Sequence, residues 1–584
     1  MPEWDLTDLY AGIDDPKLES DFTGSAAACK DFAARYEGRL ADLDGDGLAG
    51  AIEAYEAIDR VLGRIMSFAG LLYQQNTQDP ARAKFMGDAQ VRVTDLTQPL
   101  VFFSLELNKL PEEHVGTCLA ESAALVRYKP WIDRLRALAP YQLSDELEKF
   151  LHDQSVVGAT AWNRLFDETM AGLQFDVDGE TLGLEATLNL LSDADRDRRK
   201  TGGEAVAKVL GEEITLFTRI TNTLVKEKEI EDRWRNMPTP DAGRHLANQV
   251  EADVVDALRE AVQGAYERTS HRYYAMKAKW LGLERLEYYD RNAPLPDDDD
   301  RLVPWDMART TVLDAYAGFS PKMAELAEPF FDRGWIDAAV KPGKAPGAFA
   351  HPTVSDAHPY VMLNYLGKPR DVMTLAHELG HGVHQRLAAD QGELLSRTPL
   401  TLAETASVFG EMLTFKKMLG EAPDQKTRKT MLASKVEDMI NTVVRQIAFY
   451  EFERRVHTAR RDGELTSDQL GEIWMAVQAE SLGPAIHLPP EYGTFWAYIP
   501  HFIHSPFYVY AYAFGDGLVN ALYAVYEQGD PGFQDKYFEM LAAGGTLHHK
   551  ELLAPFGLDA SDPAFWDQGL GLIASMIDEL QAME

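Results

Sequence analysis

The chain has 584 residues, 45% of them hydrophobic and 10% aromatic, enough for two or three packed domains and too apolar for a globally disordered chain. Its 57 basic and 93 acidic side chains leave a formal net charge of −36. That charge argues against nucleic acid or an anionic membrane surface as a partner, because both demand concentrated Lys and Arg.

Cys29 and Cys118 are the two cysteines and form no CxxC pair, which excludes a disulfide scaffold and suits a reducing compartment. Residues 1–15 are acidic and lack a basic stretch followed by an apolar run, so the expectation is no signal peptide and a cytoplasmic location. Residues 42–53 fit D-x-D-x-D-G-x5-E, with Asp42, Asp44, Asp46 and Glu53 at the spacing of a calcium loop. The loop is single and Ala49 stands where a larger apolar residue is usual, so a polar turn between helices is the preferred reading and calcium the lesser one. Apolar residues recur at three- and four-residue spacing over 51–68, 205–228, 253–274 and 429–460, which predicts helices. Strand-like runs are few and short: 173–177 beside the turn signal Asp178-Gly179, and 348–350 with 360–363.

The polar run 192–200 ahead of Gly202-Gly203 marks either a soft boundary or the exposed start of a helix. A second break spans 294–304, where the four aspartates 297–300 read as a solvated loop rather than a metal site. Residues 494–515 contain no Asp, Glu, Lys or Arg but hold Pro500, Pro506, His501, His504 and four tyrosines. That is poor material for a lipid-facing helix and predicts a buried or cavity-lining segment.

Residues 377–381 read His-Glu-Leu-Gly-His, the H-E-x-x-H pattern. Histidines four apart project from one helix face and can share a tetrahedral zinc ion. Glu378 lies about a quarter-turn away, where it can act as general base on a water at the ion's open position. Asp371, after the helix-breaking Pro369, is expected to start this helix.

A catalytic zinc needs a third protein ligand. A His six residues beyond the second, with Gly between, is excluded because positions 384 and 387 are His and Leu; a Glu at 400 or 401 is excluded by Leu400 and Thr401. The next candidate is Glu404, in a segment 401–411 expected to be one helix with Leu402, Phe409 and Met412 on its apolar turns. A carboxylate among such neighbours is costly unless paired or ligated. Glu404 is therefore the expected third ligand, the alternative being a core carboxylate paired with an Arg. Glu411, seven residues on and on the same face, could hold a ligating imidazole from behind or form an ordinary salt bridge. His384 lies too far along the axis to share the ion and is expected to line the pocket or sit satisfied in the core.

These residues resemble the M3 family of metallopeptidases, above all its oligoendopeptidase F branch and more distantly the thimet oligopeptidase-like enzymes. The likeness spans most of the chain. It includes Trp4-Asp5-Leu6-Thr7-Asp8-Leu9-Tyr10, residues 359–363, Leu375-Ala376-His377-Glu378-Leu379-Gly380-His381-Gly382-Val383-His384 with Glu404, and Pro500-His501-Phe502 with residues 506–513. The resemblance implies a mainly α, two-lobed body with a deep substrate channel and a small β element beside the zinc helix. Residues 1–195 would form one wall of the channel and 196–584 the catalytic domain. It also implies that His501, Tyr508 and Tyr512 face the zinc and stabilise the oxyanion, a role suited to phenol and imidazole donors; His504 stands where the branch often has an aromatic. The segment 347–350 resembles the strand that pairs with substrate backbone, although His351-Pro352-Thr353 follows where a Gly- and Ser-rich turn is usual.

The expected activity is metalloendopeptidase (EC 3.4.24 class) hydrolysis of internal bonds in short unfolded peptides, with one Zn2+ per chain and no nucleic-acid or membrane partner. Glu378 would take a proton from the attacking water and pass it to the leaving amine. A helical zinc carboxypeptidase is the rival reading, and the oligomeric state is left open.

Overall fold

Caps and turn residues decide where this chain's elements begin and end. The computed structural model describes residues 1–155, 157–296 and 301–583, and the aspartate run 297–300 lies outside them. Among the described residues the fold is mainly α with a few short strands.

The helix expected over 51–68 runs over Gly45–Gln75, opened by Asp44, whose Oδ1 accepts the N–H of Gly47 at 2.8 Å. Residues 45–53 are thus helical and no twelve-residue loop forms, so the calcium reading of 42–53 is corrected to a helix cap. The polar run 192–200 is likewise a helix start. Asp195 caps Arg196–Glu212, and Arg196 and Arg199 reach back to buried Asp290 at 2.9 and 3.0 Å. Two expected long helices are each divided, into Arg196–Glu212 and Ile214–Arg235, and into Gln425–Thr442 and Val444–Ala459. The third, over 253–274, is Ala252–Gly264 followed by the short π-helix Glu267–His271 and the helix Arg272–Trp280. Hydrophobic period misses such breaks because the same face stays buried on both sides of one junction residue.

The chain forms two compact units. The first comprises Met1–Pro140, Asp300–Glu421 and Gln528–Gly557. It holds a three-stranded sheet in which Tyr360–Met362 is central, parallel to Ile336–Asp337 and antiparallel to the edge strand Phe349–His351. The strands expected at 348–350 and 360–363 are these two, and both pack beside the helix Pro369–Ala388. The opening Trp4–Tyr10 segment lies on this sheet: Asp5 N–H donates to Gly334 at 2.7 Å, Tyr360 Oη donates to the Asp5 carbonyl at 2.7 Å, and the Trp4 ring sits edge-on to Tyr360.

The second unit comprises Tyr141–Asp299, Ala422–Glu527 and Leu558–Glu584. Phe175–Val177 and Glu180–Leu182 form a hairpin whose turn has φ of 55° at Asp178 and 83° at Gly179, the pattern of a type I′ turn. The charge-free stretch 494–515 runs through Pro490–Tyr498 and His501–His504 into Tyr510–Glu527, a helix buried nearly all round that packs on Pro563–Ala582. No described helix is long and apolar enough to cross a membrane.

Candidate metal centre

Pro369 opens the helix Pro369–Ala388 at its first position, where a missing N–H costs nothing. Asp371 closes the first turn, accepting the N–H groups of Leu366 at 2.8 Å and Lys368 at 3.0 Å. One helical turn separates His377 from His381, and their ring centroids are 5.0 Å apart. His384, the next turn on, is buried and hydrogen-bonds Thr398 at 3.3 Å, as a satisfied core histidine does.

The helix Ser407–Gly420 lies hard against this one. A Cβ on Gly380 would stand 2.4 Å from the Ala406 carbonyl oxygen, so only glycine permits the approach. Gly410 does the same for Tyr316, whose hydroxyl donates to the Ala376 carbonyl at 2.6 Å.

Residues 401–411 are not the single helix expected. Leu400–Ala403 stops, 404–406 turn, and Ser407–Gly420 begins. Hydroxyl groups compete with the helical ladder here: Thr405 Oγ1 donates to the Leu402 carbonyl at 2.6 Å and Ser407 Oγ donates to Glu404 Oε2 at 2.7 Å. Tyr537 then caps the opened turn by donating to the Thr405 carbonyl at 2.9 Å, anchored in an aromatic cluster with Phe319 and Phe409.

The break delivers Glu404. Its Oε2 lies 3.3 Å from His377 Nε2 and 3.5 Å from His381 Nε2, and the three donor atoms all fall within 4.8 Å of one another. Glu411 Oε2 meets the opposite nitrogen of His377, Nδ1, at 3.1 Å. One imidazole is thus held between two carboxylates, one at the shared cluster and one behind it.

Glu378 is 7% exposed. Burial pushes its carboxyl up to about 7, partly opposed by His377 and by a hydrogen bond from the Ala350 N–H. That contact, and the one from Gln385 Nε2 to the Ala350 carbonyl at 3.3 Å, fasten the edge strand to the helix. The sequence does not signal either contact, since nothing local in residues 348–350 points to partners 28 and 35 positions away. Burial disfavours charge on His377, but Glu404 and Glu411 outweigh it and raise the ring to about 10. Burial likewise opposes the Glu404 carboxylate, yet His377, His381 and Ser407 bring it down to about 2. Burial holds His381 and His384 down at about 4, so both are neutral near pH 7. Two imidazoles and a carboxylate oxygen, bracketed by a further carboxylate, are the donor set that a catalytic divalent metal takes from protein.

The aromatic residues form a second cluster, within the second unit. His501 Nε2 is 3.3 Å from Tyr512 Oη, and the Tyr508 ring lies 6.1 Å from His501 and 5.2 Å from Tyr512 between centroids. These three are partly exposed, whereas Phe507, Val509 and Tyr510 point into the core. The Tyr510 hydroxyl is engaged there by Asn248 at 2.9 Å and His245 at 3.1 Å. His504 is committed elsewhere, paired with Asp167 at 2.8 Å.

A family model described as Peptidase family M3 matches residues 318–572, and one described as Oligopeptidase F matches residues 106–175. Oligopeptidase PepF of Bacillus subtilis is 26% identical over 586 residues, covering 97% of this chain and 87% of that protein. A crystal structure from Chlamydophila abortus superposes with a TM-score of 0.88 at 22% identity, covering 100% of this chain and 98% of the other. Oligoendopeptidase-F from Enterococcus faecium superposes with a TM-score of 0.73 at 21% identity, covering 97% and 98%. With two family models matched in order along the chain and a likeness that runs end to end, the chain belongs to the oligoendopeptidase F branch of peptidase family M3 and is a metalloendopeptidase.

Proposed function

We propose that this chain is a zinc-dependent oligoendopeptidase that hydrolyses internal bonds of short, unfolded peptides. What carries the reading is the convergence of His377, His381 and Glu404, whose donor atoms lie within 4.8 Å of one another, beside the buried carboxyl of Glu378. His377, His381 and Glu404 hold one zinc ion, and Glu411 orients His377 from behind. When bound, zinc supplies a Lewis acid that polarises the scissile carbonyl and makes water acidic enough to attack near neutral pH. Glu378 accepts the proton of the attacking water and returns it to the leaving amine. Its buried setting favours that exchange, because a carboxyl near the working pH can both take and give a proton. His501, Tyr508 and Tyr512 donate hydrogen bonds to the oxyanion as it develops. The acidic composition, and two cysteines where a disulfide scaffold would need more, support a cytoplasmic enzyme that acts without nucleic acid or membrane.

A quenched-fluorescence peptide blocked at both ends tests this. The wild-type chain loaded with zinc should cleave it, and a carboxypeptidase would leave it intact. Glu378→Gln should retain about one zinc per chain while kcat falls about 10²- to 10⁴-fold. A fully active Glu378→Gln variant would overturn the mechanism.

A further inference from the structure

Directly before Tyr508 the backbone takes a conformation that side-chain-bearing residues rarely adopt: Phe507 has φ 61°. Its ring is nevertheless fully buried, 4.6 Å from His457 and 6.1 Å from Tyr450 between centroids. A bulky residue stays in the left-handed region only where its surroundings over-determine it.

Two side chains distant in sequence do so here. Glu453, buried on the helix Val444–Ala459, accepts the Phe507 N–H at 2.8 Å through Oε1. Arg244, on the helix Ala242–Ala247, donates from Nε to the Pro506 carbonyl at 3.2 Å, and its guanidinium carbon lies 5.6 Å from the centre of the Tyr508 ring. The Tyr508 N–H closes the turn by donating to the Ser505 carbonyl at 3.0 Å. Residues 506, 507 and 508 are thus each gripped in succession.

Glu453 is an expensive residue for mere packing. Burial pushes its carboxyl well above the usual carboxylate range, opposed first by the Phe507 N–H and then by Arg244. Its second oxygen, Oε2, has no hydrogen-bond partner among the described residues. A leucine would fill similar space without leaving a buried oxygen unpaired. What leucine cannot do is accept the Phe507 N–H.

We propose that Glu453 and Arg244 are positioning residues, which hold the 505–508 turn so that the Tyr508 hydroxyl stands with His501 and Tyr512, and which act on the reaction only through Tyr508. The inference rests on the oxyanion role given above to Tyr508.

Steady-state kinetics of the zinc-loaded full chain on the doubly blocked peptide test it. Glu453→Gln keeps an acceptor oxygen and should stay within about threefold of wild type, whereas Glu453→Leu should lose about 10- to 100-fold in kcat, the scale of a displacement near 1 Å. KM should move less than about threefold and zinc content should not change, because the misplaced group serves the transition state. Arg244→Leu, at a partly exposed position, should lose about tenfold in kcat and serves if the leucine variant at 453 does not fold. In a Tyr508→Phe background neither substitution should cost anything further. Folded Glu453→Leu and Arg244→Leu variants within about twofold of wild type, beside an impaired Tyr508→Phe, would overturn the proposal, as would losses that add fully to that of Tyr508→Phe. An unimpaired Tyr508→Phe would instead refute the oxyanion role itself and remove the proposal's basis.

Discussion

Gly380→Ala adds one methyl group, and the structure says where it goes. Its carbon would stand 2.4 Å from the Ala406 carbonyl oxygen and 2.7 Å from Ser407 Cα, against an ordinary carbon contact of about 3.5 Å. Both obstacles are backbone atoms, so no rotamer change absorbs the clash. Retreat of the His377 helix is opposed too. Gly382, about 200° further round that helix, lies so close to Phe330 that a Cβ there would be 2.5 Å from the ring. The turn 404–406 must therefore move by about 1 Å, which as overpacking costs about 1–3 kcal/mol. Glu404 sits two residues before Ala406 and moves with it. Metal–ligand distances tolerate about 0.2 Å, so the carboxylate leaves its position relative to His377 and His381. Zinc affinity is expected to fall about 10²-fold, at the upper end of what disturbed ligand support costs. Competition with a chromophoric chelator measures the affinity, with kcat/KM followed in parallel. Gly116→Ala is the control: Gly116 lies on the exposed face of the helix Glu112–Glu121 with nothing within 4 Å of an added Cβ, and the change should leave zinc binding untouched. Wild-type zinc affinity in Gly380→Ala would refute the claim that this glycine sets the distance between the helices.

Glu411→Gln keeps a hydrogen-bond acceptor at His377 Nδ1 but removes the charge, and should weaken zinc binding by about 10- to 100-fold; unchanged affinity by the same competition assay would rule out a supporting role for this carboxylate. In the metal-free protein His377 is raised from 6.5 to about 10, so zinc must displace its proton at neutral pH. Affinity should then rise about tenfold per pH unit between about 7 and 9 and level off above about 10. Calorimetry in buffers of different ionisation enthalpy counts the proton released, and a count of zero would contradict the bridged imidazolium. The same raised value stabilises the metal-free fold: the contribution is complete below about 6.5 and is lost as pH rises through about 10. Metal-free chain should therefore melt at progressively lower temperature over that interval, and a rising melting temperature would contradict the sign.

Features written in local spacing were legible. The i, i+4 histidines follow from helix geometry alone and the turn at Asp178-Gly179 from its residues, whereas the polar run 192–200 leaves a boundary and a helix start equally open until the Asp195 cap decides between them. Glu404 was reached by elimination, but through an incorrect intermediate, a continuous helix from 401 to 411. On such a helix Glu404 and Glu411 would address one face together. The observed break lets them approach His377 from opposite ring nitrogens instead. The apolar pattern could not show this, because the break is made by Thr405 and Ser407 hydroxyls and secured by Tyr537 from a helix more than a hundred residues away.

The calcium motif failed for a related reason. Spacing identified Asp44 as a candidate ligand, yet Asp44 at the head of a helix-forming run caps that helix and occupies its oxygen with the Gly47 N–H. A spacing motif states which side chains could converge if the backbone allows it. What the backbone allows here depends on competition among hydroxyls, caps and close helix contacts. The informative small residue in His377–His384 is therefore Gly380, which coordinates nothing: with a Cβ at that position the two helices could not lie close enough for Glu404 to reach the histidines.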